Sequence, residues 1–275
     1  MKDRGSLIKN ALTHLFLIVA SITLIFPFLW MLSGGFKDSL EVVKMPPQLL
    51  PSQWNFDNFI QIEKFFPLYR FLFNSVVIAI VTTVLQLLIC AMAAYVFAKI
   101  TFKGRQAIFV VFLTTMMIPA QVTLVPLFIL FSQTNLIDTY AGLILPGIFS
   151  AYGTFLLRQN IMTIPNELLE AAFIDGASYY RVFGSIIMPL IKPTLAALTI
   201  FAFMSSWNSF LWPLIATNSK ELMTLPLGLS KLQGKWSTEW NLLMAGNVIS
   251  FLPIFAVYLF AQRYFIKGMT MTGIK

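Results

Sequence analysis

Long stretches without a charged residue are the feature that most constrains how this chain can fold. Six such stretches, 19 to 32 residues long, separate consecutive charged residues, and all are apolar. A helix needs about 20 apolar residues to cross a hydrocarbon core of roughly 30 Å. The sequence therefore predicts six membrane-spanning helices. They lie at approximately 12–33, 71–98, 107–131, 139–157, 193–214 and 242–262.

The composition excludes a soluble fold. Hydrophobic residues make up 58% of the chain and charged residues only 11%, whereas a soluble domain has about 25% charged residues. A soluble protein of 275 residues must still present a large surface to water, and this chain has too few polar residues for such a surface. We therefore predict an all-α polytopic membrane protein with six transmembrane helices.

The third apolar stretch is too long for one straight span. Its 32 residues would extend about 48 Å as a helix, and Pro119 and Pro126 lie within it. Because proline removes a backbone donor, we expect a kink here, or a helix followed by an interfacial segment. Two interpretations of the long stretch are possible. A helix that continues into the headgroup region is preferred over a hinge that moves during transport.

The charged residues between the spans indicate the orientation in the membrane. The segments 1–11, 99–106, 158–192 and 263–275 hold 12 basic and four acidic residues, whereas the segments on the other side hold seven of each. The formal net charge of +8 thus belongs to one face, and basic residues stay on the cytoplasmic side of a membrane. Both termini are therefore expected in the cytoplasm, and the charge reflects orientation rather than a nucleic-acid partner.

The predicted spans contain no Asp, Glu, Lys or Arg, and Cys90 and His14 are the only residues of their kinds. A single cysteine excludes an intrachain disulfide framework, and a single histidine leaves little for metal binding or acid–base catalysis. Proton-coupled transporters usually need buried acidic or histidine relays, and no P-loop motif for ATP is present. We predict no catalytic residue, no metal site and no cofactor in this chain, and a path that suits a neutral solute.

The longest internal cytoplasmic segment covers residues 158–192. Pro165 favours the start of a helix, and Gly176 can end that helix as a left-handed cap. Ser178 can then N-cap a second short helix, which Pro189 is expected to end. From periodicity alone, an amphipathic hairpin that lies on the membrane is the favoured interpretation.

A motif in this segment resembles the EAA loop of ABC-importer permeases. Glu170-Ala171-Ala172 is followed after three residues by Gly176, and nine residues later by Ile186-Ile187-Met188-Pro189. Only Met188 departs from the pattern, where the family has leucine, and this change preserves the side-chain volume. The extended segment looks like the carbohydrate branch of the family, and it is most similar to the smaller permease subunit of maltose- and glycerol-3-phosphate-type importers.

Further segments resemble the same branch along nearly the whole chain. They are Asn74-Ser75, Pro119-Ala120-Gln121, Pro126-Leu127, Trp207-Asn208-Ser209-Phe210, Thr224-Leu225-Pro226-Leu227-Gly228-Leu229, Gln262-Arg263 and the tail 268–275. Ser209 stands where the family has aspartate, and Thr272 stands where a glycine is usual.

The resemblance implies a transmembrane permease subunit of an ATP-driven, binding-protein-dependent sugar importer, with residues 1–275 as a single transmembrane domain in a bacterial-type inner membrane. The segment 158–192 would be its cytoplasmic coupling loop. The implied contacts with the ATPase are Glu170, Ala171, Ala172, Asp175, Gly176 and Pro189. The implied partners are a second, homologous permease, a cytoplasmic ABC ATPase dimer that binds ATP and Mg²⁺, an extracytoplasmic sugar-binding protein and membrane lipid.

The resemblance also assigns the loop 215–241 to the side that faces the binding protein. Gln233, Gly234, Lys235 and Trp236 are the candidates for its tip. An ordinary solvated loop, with Trp236 in the interfacial aromatic belt, is equally favoured.

Trp207 and Asn208 are the candidates for the substrate path. They can offer a sugar a stacking face and a hydrogen-bonding amide. However, aromatic residues at helical spacing more often pack against other helices, and in this family the partner permease can carry most of the substrate contacts.

Other functions stay open at this point. An ABC permease for another solute, such as a phosphorylated polyol, is the nearest alternative. A stand-alone channel belongs to a different class, because it would work without an ATPase. An intramembrane enzyme is the weakest alternative.

Overall fold

A computed structural model describes the backbone of residues 4–234 and 238–270, and the side chains of residues 9–234, 238–260 and 262. Within these ranges the chain is almost entirely helical, and the one isolated β-bridge joins Gln233 and Thr238. The α-helices of the described ranges are α1 Arg4–Gly34, α2 Ser39–Val42, α3 Asp57–Phe65, α4 Leu68–Lys99, α5 Arg105–Thr114, α6 Ala120–Gln133, α7 Tyr140–Ile144, α8 Ala151–Met162, α9 Asn166–Ile174, α10 Tyr179–Val182, α11 Met188–Leu190, α12 Lys192–Trp207, α13 Leu211–Ala216, α14 Leu225–Ser230 and α15 Trp240–Thr270. Short 3₁₀ turns cover Thr115–Met117, Leu145–Gly147 and Lys220–Leu222, and a π-helical turn covers Phe183–Ile187.

Three helices are each long and apolar enough to cross a membrane: Lys9–Gly34 within α1, the whole of α4, and Trp240–Phe260 within α15. Three further helix pairs pass the same test together, although each pair bends at a short break. The pairs are Arg105–Met117 with Ala120–Gln133 (100°), Tyr140–Gly147 with Ala151–Met162 (46°), and Tyr179–Leu190 with Lys192–Trp207 (79°). The all-α, multi-pass architecture is therefore confirmed, and the described residues form six spans if each bent pair crosses once.

The bend in the third apolar stretch lies at the first of its two prolines. Ile118 is extended, with φ −87° and ψ 115°, as expected of a residue that precedes proline. Pro119 then starts the new helix direction, whereas α6 continues through Pro126 without a break. The expected kink is present, and Pro119 rather than Pro126 makes it.

The fifth apolar stretch differs from the continuous helix predicted over 193–214. The helix α12 ends at Trp207, and the separate short helix α13 begins at Leu211. The side-chain Nδ2 of Asn208 donates to the carbonyl oxygen of Met204 at 2.9 Å, and this local bond competes with continued helix. The charge pattern of the sequence does not indicate this helix end, because Asn208 is itself uncharged.

The chain falls into two compact units. The first combines Met1–Leu68 with Gly228–Phe251. Asn58 is buried in it, and its Nδ2 donates to the carbonyl oxygens of Gly35 (3.0 Å) and Lys37 (2.8 Å). Its Oδ1 accepts from Nδ2 of Asn241 at 2.9 Å. One amide thus joins the loop after α1 to the starts of α3 and α15.

The second unit combines Tyr69–Leu227 with Leu252–Lys275. Side chains of α4 and α8 form a buried cluster there with side chains from the segment 164–198. The cluster consists of Cys90, Ala91, Ala94, Tyr95, Leu157, Ile161, Ile164, Leu169, Val182, Ile187, Ile191 and Leu198. The segment 158–192 is therefore packed against the membrane helices through its own apolar residues.

Candidate functional site

The helix α9 presents one face to the core of its unit and the other to the exterior. Leu169 is 5% exposed and belongs to the buried cluster, and Ala172 is half-buried against the same cluster. Glu170, Ala171 and Asp175 are exposed. The motif residues that carry a charge therefore point away from the protein, where a partner can contact them.

The turn after α9 is a Schellman motif centred on Gly176. Gly176 has φ +79°, its N–H donates to the carbonyl of Phe173 at 3.0 Å, and the N–H of Ala177 donates to the carbonyl of Ala172 at 2.9 Å. These two bonds satisfy the last carbonyls of the helix. The predicted left-handed glycine cap is thus present in the structure.

The second helix of the segment begins as predicted and ends differently. The Ser178 hydroxyl accepts from the N–H of Arg181 at 3.4 Å as the N-cap of α10. However, the helical chain continues through Pro189 to Leu190 and turns only at Ile191. The expectation that Pro189 ends the helix is therefore wrong. Pro189 lies in the first turn of the short helix α11, where a residue that lacks an N–H is tolerated, and the π-helical turn Phe183–Ile187 precedes it.

Two basic side chains connect this segment to the membrane helices, and from the sequence alone both were visible only as part of the charge of one face. Lys99 ends α4, and its Nζ donates to the carbonyl of Ile164 (2.5 Å) and to Oδ1 of Asn166 (2.7 Å). These bonds join the end of α4 to the first residue of α9. Lys99 and Arg158 each stand at the end of a charge-free stretch. That position is the only sequence signal that could have indicated this role.

Arg158 makes a second connection, from within α8. It is 8% exposed. Its Nε donates to the carbonyl of Phe97 at 3.1 Å, and its guanidinium lies 4.1 Å from the centre of the Phe109 ring. Because guanidinium groups stack on aromatic faces, Arg158 holds α8 against both α4 and α5.

The two residues predicted for the substrate path lie in different environments. Trp207 is 1% exposed and stacks on Phe203, with 5.6 Å between ring centroids. Asn208 is exposed and lines a cavity of about 350 Å³, together with Gln121 and Phe210. Within the described part of the chain, Trp207 is not among the residues that line this cavity.

The residues predicted for the outer loop are only partly described. Gln233 and Gly234 are exposed, and Gln233 pairs with Thr238 across an antiparallel bridge. The N–H of Glu239 donates to the carbonyl of Leu232 at 3.3 Å, so the two sides of the loop run next to each other. Lys235 and Trp236 lie outside the described residues.

Two of the segments noted in the sequence bind each other directly. Asn74 on α4 donates through Nδ2 to the carbonyls of Glu221 (2.7 Å) and Met223 (2.9 Å). The hydroxyl of Ser75 accepts from the N–H of Leu225 at 2.7 Å. The two segments are far apart in the sequence, and in the structure Asn74-Ser75 holds the chain at the start of α14.

In the described part of the chain, no group of three or more His, Cys, Asp or Glu side chains is placed to hold a metal ion.

The chain has close relatives among characterised proteins. The family described as binding-protein-dependent transport system inner membrane component matches residues 86–271. The arabinooligosaccharides transport system permease protein AraQ of Bacillus subtilis (strain 168) is 40% identical over 273 residues, which cover 98% of this chain and 97% of the relative. The sn-glycerol-3-phosphate transport system permease protein UgpE of Rhizobium meliloti (strain 1021) is 36% identical over 96% of this chain and 97% of its own length.

Two solved structures have the same fold. One is a bacterial ABC transporter involved in the import of the acidic polysaccharide alginate, with a TM-score of 0.83 and 22% identity over 96% of this chain and 99% of that chain. The other is a bacterial alginate ABC transporter in complex with an alginate pentasaccharide-bound periplasmic protein, with a TM-score of 0.63 and 17% identity over 94% of both chains. The helical architecture, the EAA segment and these relatives lead to one conclusion. The chain belongs to the family of binding-protein-dependent transport system inner membrane components, and it is a multi-pass permease subunit rather than an enzyme.

Proposed function

We propose that this permease subunit imports a carbohydrate, in a complex driven by a separate ATPase subunit that binds ATP and Mg²⁺. The observation that carries the proposal is the 40% identity with an arabinooligosaccharide permease over nearly the full length of both chains. A second, homologous permease would form the other half of the path, and lipid would cover the remaining apolar surface. The central apolar stretch of α1 supports this assembly, because none of it is buried within the chain.

The contact with the ATPase is proposed at Glu170, Ala171, Ala172, Asp175, Gly176 and Pro189. The surface formed by the exterior face of α9 and the residues that follow it supports this proposal. This surface carries two exposed carboxylates beside strongly exposed apolar side chains, Ile174 at 85% and Tyr180 at 89%. A surface of this kind needs a partner in order to remove its apolar groups from water. The carboxylate of Glu170 suits a charge-assisted bond to an arginine of that partner.

The orientation follows from the charges. The segment 158–192 lies on the basic face, so this face and both termini are proposed to be cytoplasmic. The segments 35–70 and 215–241 are then extracytoplasmic.

The contact with the sugar-binding protein is proposed at Gln233, Gly234, Lys235 and Trp236. The antiparallel bridge between Gln233 and Thr238 supports this proposal, because it pairs the two sides of the loop and leaves Gln233 exposed. The alginate transporter solved with its periplasmic protein shows that a transporter of this fold binds such a partner.

Trp207 and Asn208 remain the proposed path residues. Asn208 can offer its amide directly, because it is exposed at a cavity. Trp207 can act only by supporting its neighbours, because it is almost fully buried.

A phosphorylated polyol is the second candidate substrate, and the 36% identity with a glycerol-3-phosphate permease favours it. The test is uptake by the complete complex in proteoliposomes, with labelled arabinotriose and labelled sn-glycerol 3-phosphate as competing probes. We expect uptake of arabinotriose that unlabelled glycerol 3-phosphate does not reduce. Uptake of glycerol 3-phosphate alone would overturn the carbohydrate assignment.

The proposed ATPase contact has its own test in the same preparation. Glu170→Lys reverses a charge on the contact face, and we expect it to reduce uptake at least tenfold while the complex still assembles, because a charge-assisted bond becomes a repulsion. Lys103→Glu is the control, since it reverses the charge of an exposed residue in the loop after α4, outside the motif. Full uptake by the Glu170→Lys variant would exclude the contact.

A further inference from the structure

A second cavity lies deeper in the second unit, beside the middle of α4. Its volume is about 400 Å³, within the range of roughly 300–1,000 Å³ that is common for small-molecule sites. Thr82 and Gln86 line it from α4, about 21 and about 27 Å along the helix axis from Leu68. Its polar lining consists mainly of Thr82, Gln86, Ser150, Ser205, Ser206 and Ser209.

The lining is polar but uncharged. Among the described residues that line the cavity, none is Asp, Glu, Lys, Arg or His. Polar side chains in the membrane-spanning part of a protein usually face its interior or a water-filled path, because lipid cannot satisfy their hydrogen bonds. Hydroxyl and amide groups both donate and accept hydrogen bonds. The cavity therefore suits a ligand with many neutral donors and acceptors.

Two of the hydroxyls that line the cavity are buried without a partner. Thr82 is 3% exposed and Thr224 is 5% exposed. The Oγ1 atoms of both residues are buried, and neither makes a hydrogen bond within the described part of the protein. A buried hydroxyl that lacks a partner is unfavourable unless a ligand or water completes it. Each of these hydroxyls therefore lacks a hydrogen bond, which a ligand or water in the cavity can supply when the side chain turns toward it.

The same cavity has an apolar side. The indole Nε1–H of Trp212 donates to the carbonyl of Gly142 at 2.9 Å, so its donor is occupied within the protein. Trp212 lines the cavity, and so does Phe149, which is 67% exposed. A sugar ring has hydroxyls around its rim and C–H groups on its faces. A cavity that combines hydroxyls with aromatic side chains matches both parts.

We propose that this cavity binds one residue of a neutral, polyhydroxylated sugar as it crosses the membrane, with Thr82 and Gln86 among its hydrogen-bonding partners. The inference rests on the proposed function and specifies its substrate class. A phosphorylated polyol does not fit, because the lining offers no cation to balance a phosphate, and an unpaired charge in the low dielectric of the protein interior is strongly unfavourable. The smaller permease would thus contribute its own substrate site.

The first experiment compares two matched substitutions on α4 in the complete complex. Thr82→Val removes a hydroxyl that lines the cavity. Thr83→Val removes a hydroxyl that is equally buried, at 4% exposure, and equally without a partner, but that does not line it. We expect Thr82→Val to raise the KM for arabinotriose uptake about five- to tenfold, since one hydrogen bond is lost. Thr83→Val should leave the KM unchanged, and equal KM values for the two variants would overturn the proposal.

A second measurement does not depend on transport. Cys90 is buried and is the only native cysteine, so a Ser206→Cys variant can be labelled with N-ethylmaleimide at the cavity. We expect excess arabinotriose, but not glycerol 3-phosphate, to slow this labelling at least threefold. Protection without ATP-dependent uptake would support the cavity and refute the proposed function. ATP-dependent uptake with neither protection from labelling nor a difference in KM would support the proposed function and refute sugar binding in the cavity.

Discussion

The Nζ of Lys99 lies 2.7 Å from Oδ1 of Asn166, so the last residue of α4 is hydrogen-bonded to the first residue of α9. The same Nζ also reaches the carbonyl of Ile164. The helix that lines the hydroxyl-rich cavity is therefore directly connected to the helix proposed to contact the ATPase. A displacement of α9 by the ATPase would act on α4 through these bonds.

Removal of this connection should uncouple transport from ATP hydrolysis. We expect Lys99→Met to lower the amount of sugar imported per ATP hydrolysed about fivefold, because hydrogen bonds from a charged group are lost while the apolar stem is kept. The measurement is uptake and phosphate release in the same proteoliposomes. Lys103→Met is the control, since Lys103 is exposed in the loop after α4. An unchanged ratio for Lys99→Met would exclude the role of this bond.

Gly176 should be required for its conformation rather than for its size. A Cβ at Gly176 would meet no atom within 4 Å, and neither would a Cβ at Gly184 in the same segment. Of these two glycines, only Gly176 has a positive φ. We therefore expect Gly176→Ala to destabilise the turn by about 1–2 kcal/mol and to reduce the binding of the ATPase in a pull-down assay. Gly184→Ala should bind like the wild type, and equal binding by both variants would contradict this explanation.

The sequence predicted the elements that depend on local chemistry. The Schellman turn at Gly176 and the N-cap at Ser178 could be identified because each depends on one residue type at one position. The kink near Pro119 could be predicted for the same reason. The multi-pass helical architecture followed from the length of the apolar stretches.

Features that depend on tertiary contact could not be predicted in this way. The roles of Lys99 and Arg158 require knowledge of which helix ends meet, and a charge count treats both only as markers of the cytoplasmic face. The helical chain that continues past Pro189 follows a π-helical turn, and this turn has no local sequence signal. The hydroxyl-lined cavity collects residues from α4, α12 and the segment 145–150, and these are far apart in the chain.

Asn74 should stabilise the described part of the second unit. Its amide donates to two carbonyls of the segment 221–223, and its Oδ1 accepts from the hydroxyl of Tyr140 at 2.6 Å. We expect Asn74→Ala to destabilise this unit by about 1–3 kcal/mol, because buried partners lose their bonds. The measurement is the melting temperature of the purified complex. Asn218→Ala provides the control, since Asn218 bonds to Asp138 through its backbone N–H, and a similar melting temperature for both variants would contradict the assignment.

Asp138 should make stability depend on pH. Its Oδ1 accepts from the backbone N–H groups of Ser219 and Asn218 at 3.1 and 3.0 Å and from the Ser219 hydroxyl. The backbone bond from Ser219 is the largest cause that holds the pKa of this carboxyl below its ordinary value of 3.8. A lowered pKa in the folded state stabilises the fold above the unfolded value, and this contribution is lost as the pH falls through the folded value.

The measurement for Asp138 is the difference in melting temperature between the wild type and Asp138→Asn. We expect the wild type to be more stable at pH 6, and the difference to shrink as the pH falls below about 4. A difference that stays constant from pH 6 to pH 3 would show that the carboxylate charge has no such effect.

Uptake by an ATP-driven importer must depend on the nucleotide. The complete complex, with both permeases, the ATPase and the binding protein, is reconstituted in proteoliposomes and given labelled arabinotriose with ATP, with ADP or without nucleotide. We expect accumulation of the sugar above its external concentration with ATP and none in the other two conditions. Equal uptake rates with and without ATP would contradict this expectation and indicate a channel.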